Sequence, residues 1–195
     1  LIKLPNGNYL SLAPHIRLGP IPTSGSDVSF PWEEEFQDIG YNVDGITLEF
    51  EWLGQKLVEW NPQTNDTLWT FSSFEMFSLS DFDILGGIWN KTANDMANPF
   101  DWTHFNAIAF SENENAIYLS SRHLSKITKI DYDTKEILWN LGYDQQSMYP
   151  LIQSVYGFNP DTSFIQLPLL DGNGNYNSFS FQHGLQILEN GNIVT

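Results

Sequence analysis

His104, Asn106 and Arg122 bring together an imidazole, a carboxamide and a guanidinium within a short stretch of chain. All three side chains donate hydrogen bonds to anionic oxygens. The guanidinium does so as a planar fork that keeps its charge, the carboxamide without adding any. Gathered at one place they would hold an anionic group and stabilise negative charge developing on it. His183 is a fourth group of interest. Taken alone, it reads as a hydrogen-bonded histidine at a strand end, preceding Leu185 and Ile187, which share its face by parity. The plainer readings of the others are a surface ion pair for Arg122 and a turn or strand-edge amide for Asn106.

The elements that must position these groups can be read from alternation. Asp101-Trp102-Thr103-His104-Phe105-Asn106 looks like the start of a strand, with Phe105, Ala107 and Ala109 alternating with His104, Asn106 and Ile108. His104 and Asn106 would then share one face. A turn is expected at Ser111-Glu112-Asn113-Glu114 and a second strand from Asn115 to Arg122. A hairpin of these two returns Arg122 beside His104, 18 residues away in sequence (122 − 104). One detail resists simple pairing. With Phe110 opposite Asn115, His104 faces Ser121 and Arg122 faces Thr103, so Arg122 points away from His104. A bulge, or a different register, repairs this, and one is expected.

The chain also repeats itself. Leu4-Pro5-Asn6-Gly7-Asn8-Tyr9-Leu10 matches Leu188-Glu189-Asn190-Gly191-Asn192-Ile193-Val194, and 113–118 is a looser third copy. Asn-Gly leading into an apolar run is a hairpin signal, because the turn needs positive φ. A second unit, 46–60, reads as two strands around Leu53-Gly54-Gln55. It is repeated at 126–139 around Asp133-Thr134-Lys135. Two hairpins per repeat make a four-stranded unit, the blade of a β-propeller. The expected fold is therefore all-β, a fragment of a β-propeller built from four-stranded antiparallel blades. Residues 1–60 form an incomplete blade, 61–102 an aromatic-rich connection, 103–142 a complete blade, 143–178 a second connection, and 179–195 the start of the next blade. Helical turns are expected around 79–97. Both ends of the sequence fall within apparent strands, and the chain reads as a fragment.

Asp101-Trp102-x-His104-x-Asn106, then Ser120-Ser121-Arg122, then Gln182-His183 followed by Asn190-Gly191-Asn192 resembles the arylsulfotransferase family, aryl-sulfate sulfotransferases independent of the nucleotide sulfate donor. The resemblance spans roughly the whole chain and is strongest over 101–142 and 181–195. It implies a six-bladed propeller and a sulfuryl group passed from an aryl sulfate ester to a phenol. His183 would be the nucleophile that becomes sulfohistidine, giving ping-pong kinetics. An imidazole suits that role, since its ordinary pKa of about 6.5 leaves it largely neutral near pH 7. His104, Asn106 and Arg122 match the sulfuryl-binding residues, with His104 either donating to an oxygen or exchanging a proton with the phenol oxygen. The resemblance also implies a further active-site histidine from an earlier blade, and a periplasmic or secreted location. The connection 61–102 carries eight large aromatics, more than a solvated loop needs. Trp89 and Trp102 are accordingly expected either to meet the aryl ring or to pack on a blade flank.

Composition bounds the remaining choices. With 8 basic and 24 acidic residues the net charge is −16, so no basic stripe exists to neutralise nucleic-acid phosphates, and an anionic membrane surface is disfavoured as a partner. The chain has no cysteine, which removes disulfides and thiolate metal sites. No apolar run approaches the roughly 18 residues of a membrane-spanning helix. No phosphate-cradling or dinucleotide fingerprint occurs, no cofactor is called for, and no carboxylate pair has metal-ligand spacing. Asp171-Gly172-Asn173-Gly174-Asn175 looks slightly like a calcium loop, but its bidentate glutamate is missing. His15 in a Pro- and Gly-rich loop, His123 in the turn after Arg122, and the solvated acidic triplet Glu33-Glu34-Glu35 are assigned structural roles. The rival readings are a non-enzymatic propeller that serves as a binding scaffold, and a quinone-dependent dehydrogenase-like propeller. The second is suggested by Asp131-x-Asp133-Thr134 and Trp139, and is weakened by the missing cysteines and calcium cluster. Convergence discriminates: His104, Asn106, Arg122 and His183 should meet at one channel mouth if the chain is an enzyme.

Overall fold

The structure, a computed structural model, describes residues 1–23, 31–79, 99–142 and 182–195. It is all-β, with mostly antiparallel sheets and few helices. The first sheet has the order β1 (Ile2–Lys3), β2 (Tyr9–Gly19), β3 (Phe50–Asn61) and β4 (Asp66–Ser72). Helix α1 (Pro31–Asp38) lies between β2 and β3, and the single turn α2 (Ser73–Met76) follows β4. A short strand, β5 (Phe100–Asp101), adds to the first sheet in parallel with β3, pairing Trp52 with Phe100 and Leu53 with Asp101. The second sheet is the meander β6 (Phe105–Ser111), β7 (Ala116–Ser121), β8 (Lys126–Asp131) and β9 (Ile137–Gly142). A separate hairpin joins β10 (Gln186–Ile187) and β11 (Ile193–Val194).

The repeated Asn-Gly motif folds the same way twice. In the first copy the Leu4 amide donates to the Asn8 carbonyl at 2.8 Å, and the Asn8 amide donates to Asn6 Oδ1 at 3.0 Å. In the second, Leu188 donates to Asn192 at 2.8 Å, and the Asn192 amide to Asn190 Oδ1 at 3.0 Å. Gly7 and Gly191 sit at φ of +87° and +82°, where a side chain would be strained. The turns that close β3–β4 and β8–β9 also correspond. Asn61 Oδ1 accepts from the amides of Gln63 and Thr64, as Asp131 Oδ1 does from Asp133 and Thr134.

Several expectations change. Residues 46–60 are not two strands around Gly54, because β3 runs straight through it from Phe50 to Asn61. Gly54 marks a close approach instead of a turn: a Cβ there would overlap Ser73 Oγ and meet the Phe74 ring at 3.0 Å. The partner expected within 46–53 is in fact β2, which pairs with β3 over its whole length and carries His15 in a strand. There His15 Nδ1 lies 2.6 Å from Ser72 Oγ. The connection expected to begin at 61 instead starts with β4 and α2. The triplet Glu33-Glu34-Glu35 lies on α1, acidic in its first turn, where the helix dipole favours negative charge. The second connection at 143–178, the loop at 171–175, nearly all of the helical turns around 79–97, and Trp89 fall outside the described residues.

β7 is buried at all six positions. Its alternation explains why: Ile117 and Leu119 join the core shared with the first sheet, and Ala116 and Tyr118 join a second cluster with Leu185, Ile187 and Ile193 of the hairpin. The second sheet is thus covered on both faces. A polar contact ties it to the first. Glu59, 2% exposed, accepts from Asn8 Nδ2 at 2.6 Å, from the Tyr132 hydroxyl at 2.8 Å, and from Trp69 Nε1.

Candidate functional site

The loop between β5 and β6 is built around Gln55, in the middle of β3. Its Nε2 donates to Asp101 Oδ1 at 3.1 Å, and its Oε1 accepts from Thr103 Oγ1 at 2.6 Å and the Phe105 amide at 2.9 Å. One side chain therefore fixes three points of a five-residue arc, and Thr103 is wholly buried beneath it. Held in this way, His104 takes φ of +47°, a left-handed conformation costly for a residue with a Cβ. Its amide donates to Asp101 Oδ1 at 3.2 Å, and its Nδ1 meets Asp101 Oδ2 in a short contact. A carboxylate on Nδ1 fixes the ring and leaves Nε2 as the nitrogen for chemistry.

The expected irregularity in the β6–β7 hairpin is present in both forms. Phe110 pairs with Ile117 and Ala107 with Ser120, two residues away from the simple register, and the register then shifts so that Phe105 pairs with Ser121. Asn106 is the extra residue of that bulge. Continuing past the bulge, the Arg122 amide donates to the His104 carbonyl at 3.1 Å, which places the two residues opposite each other. His104 and Asn106 are thus not related by simple alternation within one strand, since His104 precedes β6 and Asn106 is bulged.

Asn106 turns to the chain near residue 183. Its Nδ2 donates to the Gln182 carbonyl at 2.7 Å. Gln182 is buried, and its own Nε2 lies within 3.0–3.2 Å of the carbonyls of Lys126 and Ser121 and of Ser120 Oγ. The stretch that carries His183 is therefore anchored to the end of β7 and the start of β8. The exposed His183 ring lies with its centroid 6.1 Å from that of His104, the planes at 75°.

His123 joins this corner. Arg122–Leu124 form a 3-10 turn, closed by Ser125 at φ of +47°. His123 Nδ1 lies 2.7 Å from the Asp101 carbonyl, and its Nε2 lies 2.7 Å from Arg122 Nη1. A carbonyl only accepts and a guanidinium only donates, so these partners assign the Nδ1–H tautomer. Burial pushes His123 down to about 4. The Asp101 carbonyl and charge act in the opposite sense, and the charges of His104 and Arg122 reinforce the shift. Asp101, His104 and His123 bring potential ligand atoms within 4.8 Å of one another. The His123 nitrogens are both committed, however, which leaves that ring no lone pair for a cation.

The sequence model of one family, Arylsulfotransferase (ASST), matches residues 47–195, well over half of the chain. The chain belongs to the arylsulfotransferase family. No curated protein and no solved structure matches it. The matched segment contains all four polar residues singled out in the sequence, and also Gln55, Asp101, His123 and Gln182.

Placement differs among the site residues expected in this member of the family. His104, Asn106, Arg122 and His183 come together at one corner. Trp102 does not join them: it is 1% exposed, stacked on Phe74 at 5.4 Å between centroids and edge-on to Trp52 at 6.5 Å, so it packs in the core. Sequence reading gave His123 only a structural place in the turn, and did not single out Asp101, Gln55 or Gln182 individually. For Asp101 a signal existed, an aspartate three residues ahead of a backbone amide it can cap. For Gln55, 46 residues from Asp101, none did.

Proposed function

We propose that this chain moves a sulfuryl group from an aryl sulfate ester to a phenol through a covalent intermediate on His183. The observation that carries this reading is the meeting of the His183 and His104 rings at 6.1 Å, 79 residues apart in sequence (183 − 104), with Arg122 and Asn106 at the same corner. Family membership supports the reaction class. In this reading the five-stranded sheet, the four-stranded sheet and the hairpin are blades of a β-propeller. The corner lies at its channel mouth, and the first blade continues to Ser72 instead of ending near Trp60.

The reaction balances as two displacements. An imidazole nitrogen of His183 attacks sulfur; the N–S bond forms as the S–O bond to the aryl group breaks, and its electron pair leaves with the phenolate oxygen. His104 gives that oxygen a proton. The Asp101 carboxylate on Nδ1 fixes the ring and its tautomer, so that proton exchange runs through Nε2. The acceptor phenol then loses its proton to His104 and attacks sulfur, and the N–S bond breaks. Arg122 donates to the sulfuryl oxygens, where negative charge is concentrated in both transition states. Asn106 spends one amide hydrogen on the Gln182 carbonyl and keeps the other for the sulfuryl group.

The test is incubation with an aryl sulfate, followed by peptide mass analysis. A sulfuryl adduct on the peptide carrying His183, discharged on adding a phenol, is expected. An adduct on another residue, or none while turnover proceeds, rejects this assignment.

A further inference from the structure

We propose that His123 is a positioning residue for Arg122: docked through Nδ1–H on the Asp101 carbonyl, it uses Nε2 to aim the guanidinium at the sulfuryl oxygens. The proposal deepens the sulfotransfer reading and rests on it.

Three observations support it. The first is the chain of contacts, Asp101 carbonyl to His123 Nδ1 at 2.7 Å and His123 Nε2 to Arg122 Nη1 at 2.7 Å. The second is the shared reference point. Asp101 holds His104 by its carboxylate and His123 by its carbonyl, and the two rings lie 4.5 Å apart at 33°. The proton-transfer group and the partner of the anion-binding group are thereby registered to a single residue. The third is the backbone: the Arg122 amide is bound to the His104 carbonyl at 3.1 Å and the His123 amide to the Thr103 carbonyl at 3.3 Å, so both residues start from fixed positions.

The choice of a neutral partner has a physical reason. In a chain of net charge −16, a carboxylate is the more available mate for an arginine. A carboxylate would orient the guanidinium but also neutralise much of its field, and would repel the arriving sulfate. An imidazole acceptor orients it and leaves the charge intact. The Asp101 carboxylate, the anion at this corner, is already taken up by His104 and Gln55.

The experiment has two arms on the full chain. Nitrogen-15 NMR of the imidazoles, without substrate, reads the tautomer directly: a neutral Nδ1–H ring is expected for His123 at pH 7, and an Nε2–H or cationic ring overturns the proposal. The second arm compares His123→Leu, which has no acceptor, with His123→Gln, which keeps one. His123→Leu should lower kcat/KM for an aryl sulfate about 100-fold, as misplacement of a catalytic group does. His123→Gln should retain at least about ten times the activity of His123→Leu. Equal losses that follow the melting temperatures would mean a purely structural role and overturn the proposal. If the native chain transfers no sulfuryl group, the sulfotransferase reading fails and this proposal with it; native activity with equal variants sinks this proposal alone.

Discussion

The Arg122 amide donates to the carbonyl of His104 at 3.1 Å, and this bond follows from the bulge at Asn106. Without the extra residue, the register of Ala107 with Ser120 would set His104 against His123. One bulged residue thus exchanges which of two neighbouring side chains stands opposite His104, and it also carries the carboxamide that fastens the Gln182 carbonyl.

Removing the nucleophile should differ in kind from removing a donor. His183→Asn should abolish transfer and yield no sulfated histidine. His104→Asn and Arg122→Lys should each lower turnover about 100- to 1000-fold, as loss of a transition-state donor does. Both should still accumulate sulfohistidine slowly. Stopped-time mass analysis of the three variants checks the ranking, and sulfohistidine persisting in the His183 variant would move the nucleophile to another residue.

Asp101→Asn keeps the size of the side chain but removes the charge facing His104 Nδ1. Turnover should fall about 100-fold or more, because the ring loses the charged acceptor that fixes its tautomer and orientation. The His123 contact uses the Asp101 carbonyl and should survive, which the His123 imidazole resonances would show. A loss of less than tenfold would remove Asp101 from the mechanism.

Gln55→Ala should act on stability and site together. It leaves the Thr103 hydroxyl and the Phe105 amide without the partner they have at 2.6 and 2.9 Å. Unpaired buried groups cost about 1–3 kcal/mol each, so a loss of at least roughly 2 kcal/mol is expected in denaturant melts. A stability change near zero would show that water replaces the side chain without cost.

Gly54→Ala should destabilise by about 1–3 kcal/mol, as overpacking does. The added methyl overlaps Ser73 Oγ, which itself accepts from the Gln55 amide at 3.2 Å. Neutral behaviour in thermal unfolding would contradict the close approach of α2 to β3.

Two groups predict acid lability. The folded-state pKa of His123 is depressed to about 4, so its contribution to stability is full above the ordinary histidine value near 6.5 and is lost as pH falls toward 4. Glu59 is also depressed: burial raises it, but hydrogen bonds from Asn8, Tyr132, Asn6 and Trp69 outweigh that. Its contribution is full above the usual carboxylate range, roughly pH 4, and is lost below it. The melting temperature should therefore decline in two stages. His123→Leu should flatten the stage between about pH 6.5 and 4, and Glu59→Gln the one below it. An unchanged profile in His123→Leu would refute the first assignment.

What the sequence by itself determined is local. Alternation over 105–111 and 116–121, the Asn-Gly turns and the turn around Asp133-Thr134-Lys135 follow from side-chain parity and from residues that favour turns, and the strands appear there. The motif residues His104, Asn106, Arg122 and His183 were legible as types able to hold and accept an anionic group, and so was the need for an irregular hairpin. Gly54 shows the limit of such reading. A glycine between two apolar runs looks like a turn, yet here it is the place where α2 presses on a continuous strand. Partners distant in sequence decided the rest. Gln55 shapes the His104 loop from 46 residues before Asp101, Gln182 seats His183 on β7 and β8, and Trp102 goes into the core because Phe74 and Trp52 are already there. His123 changed from a turn residue to a partner of Arg122 because a 3-10 turn brought it onto the Asp101 carbonyl. Parity and turn chemistry act over a few residues and leave a trace in the sequence, whereas a hydrogen bond between remote segments depends on how the sheets stack, which no short window of residues records.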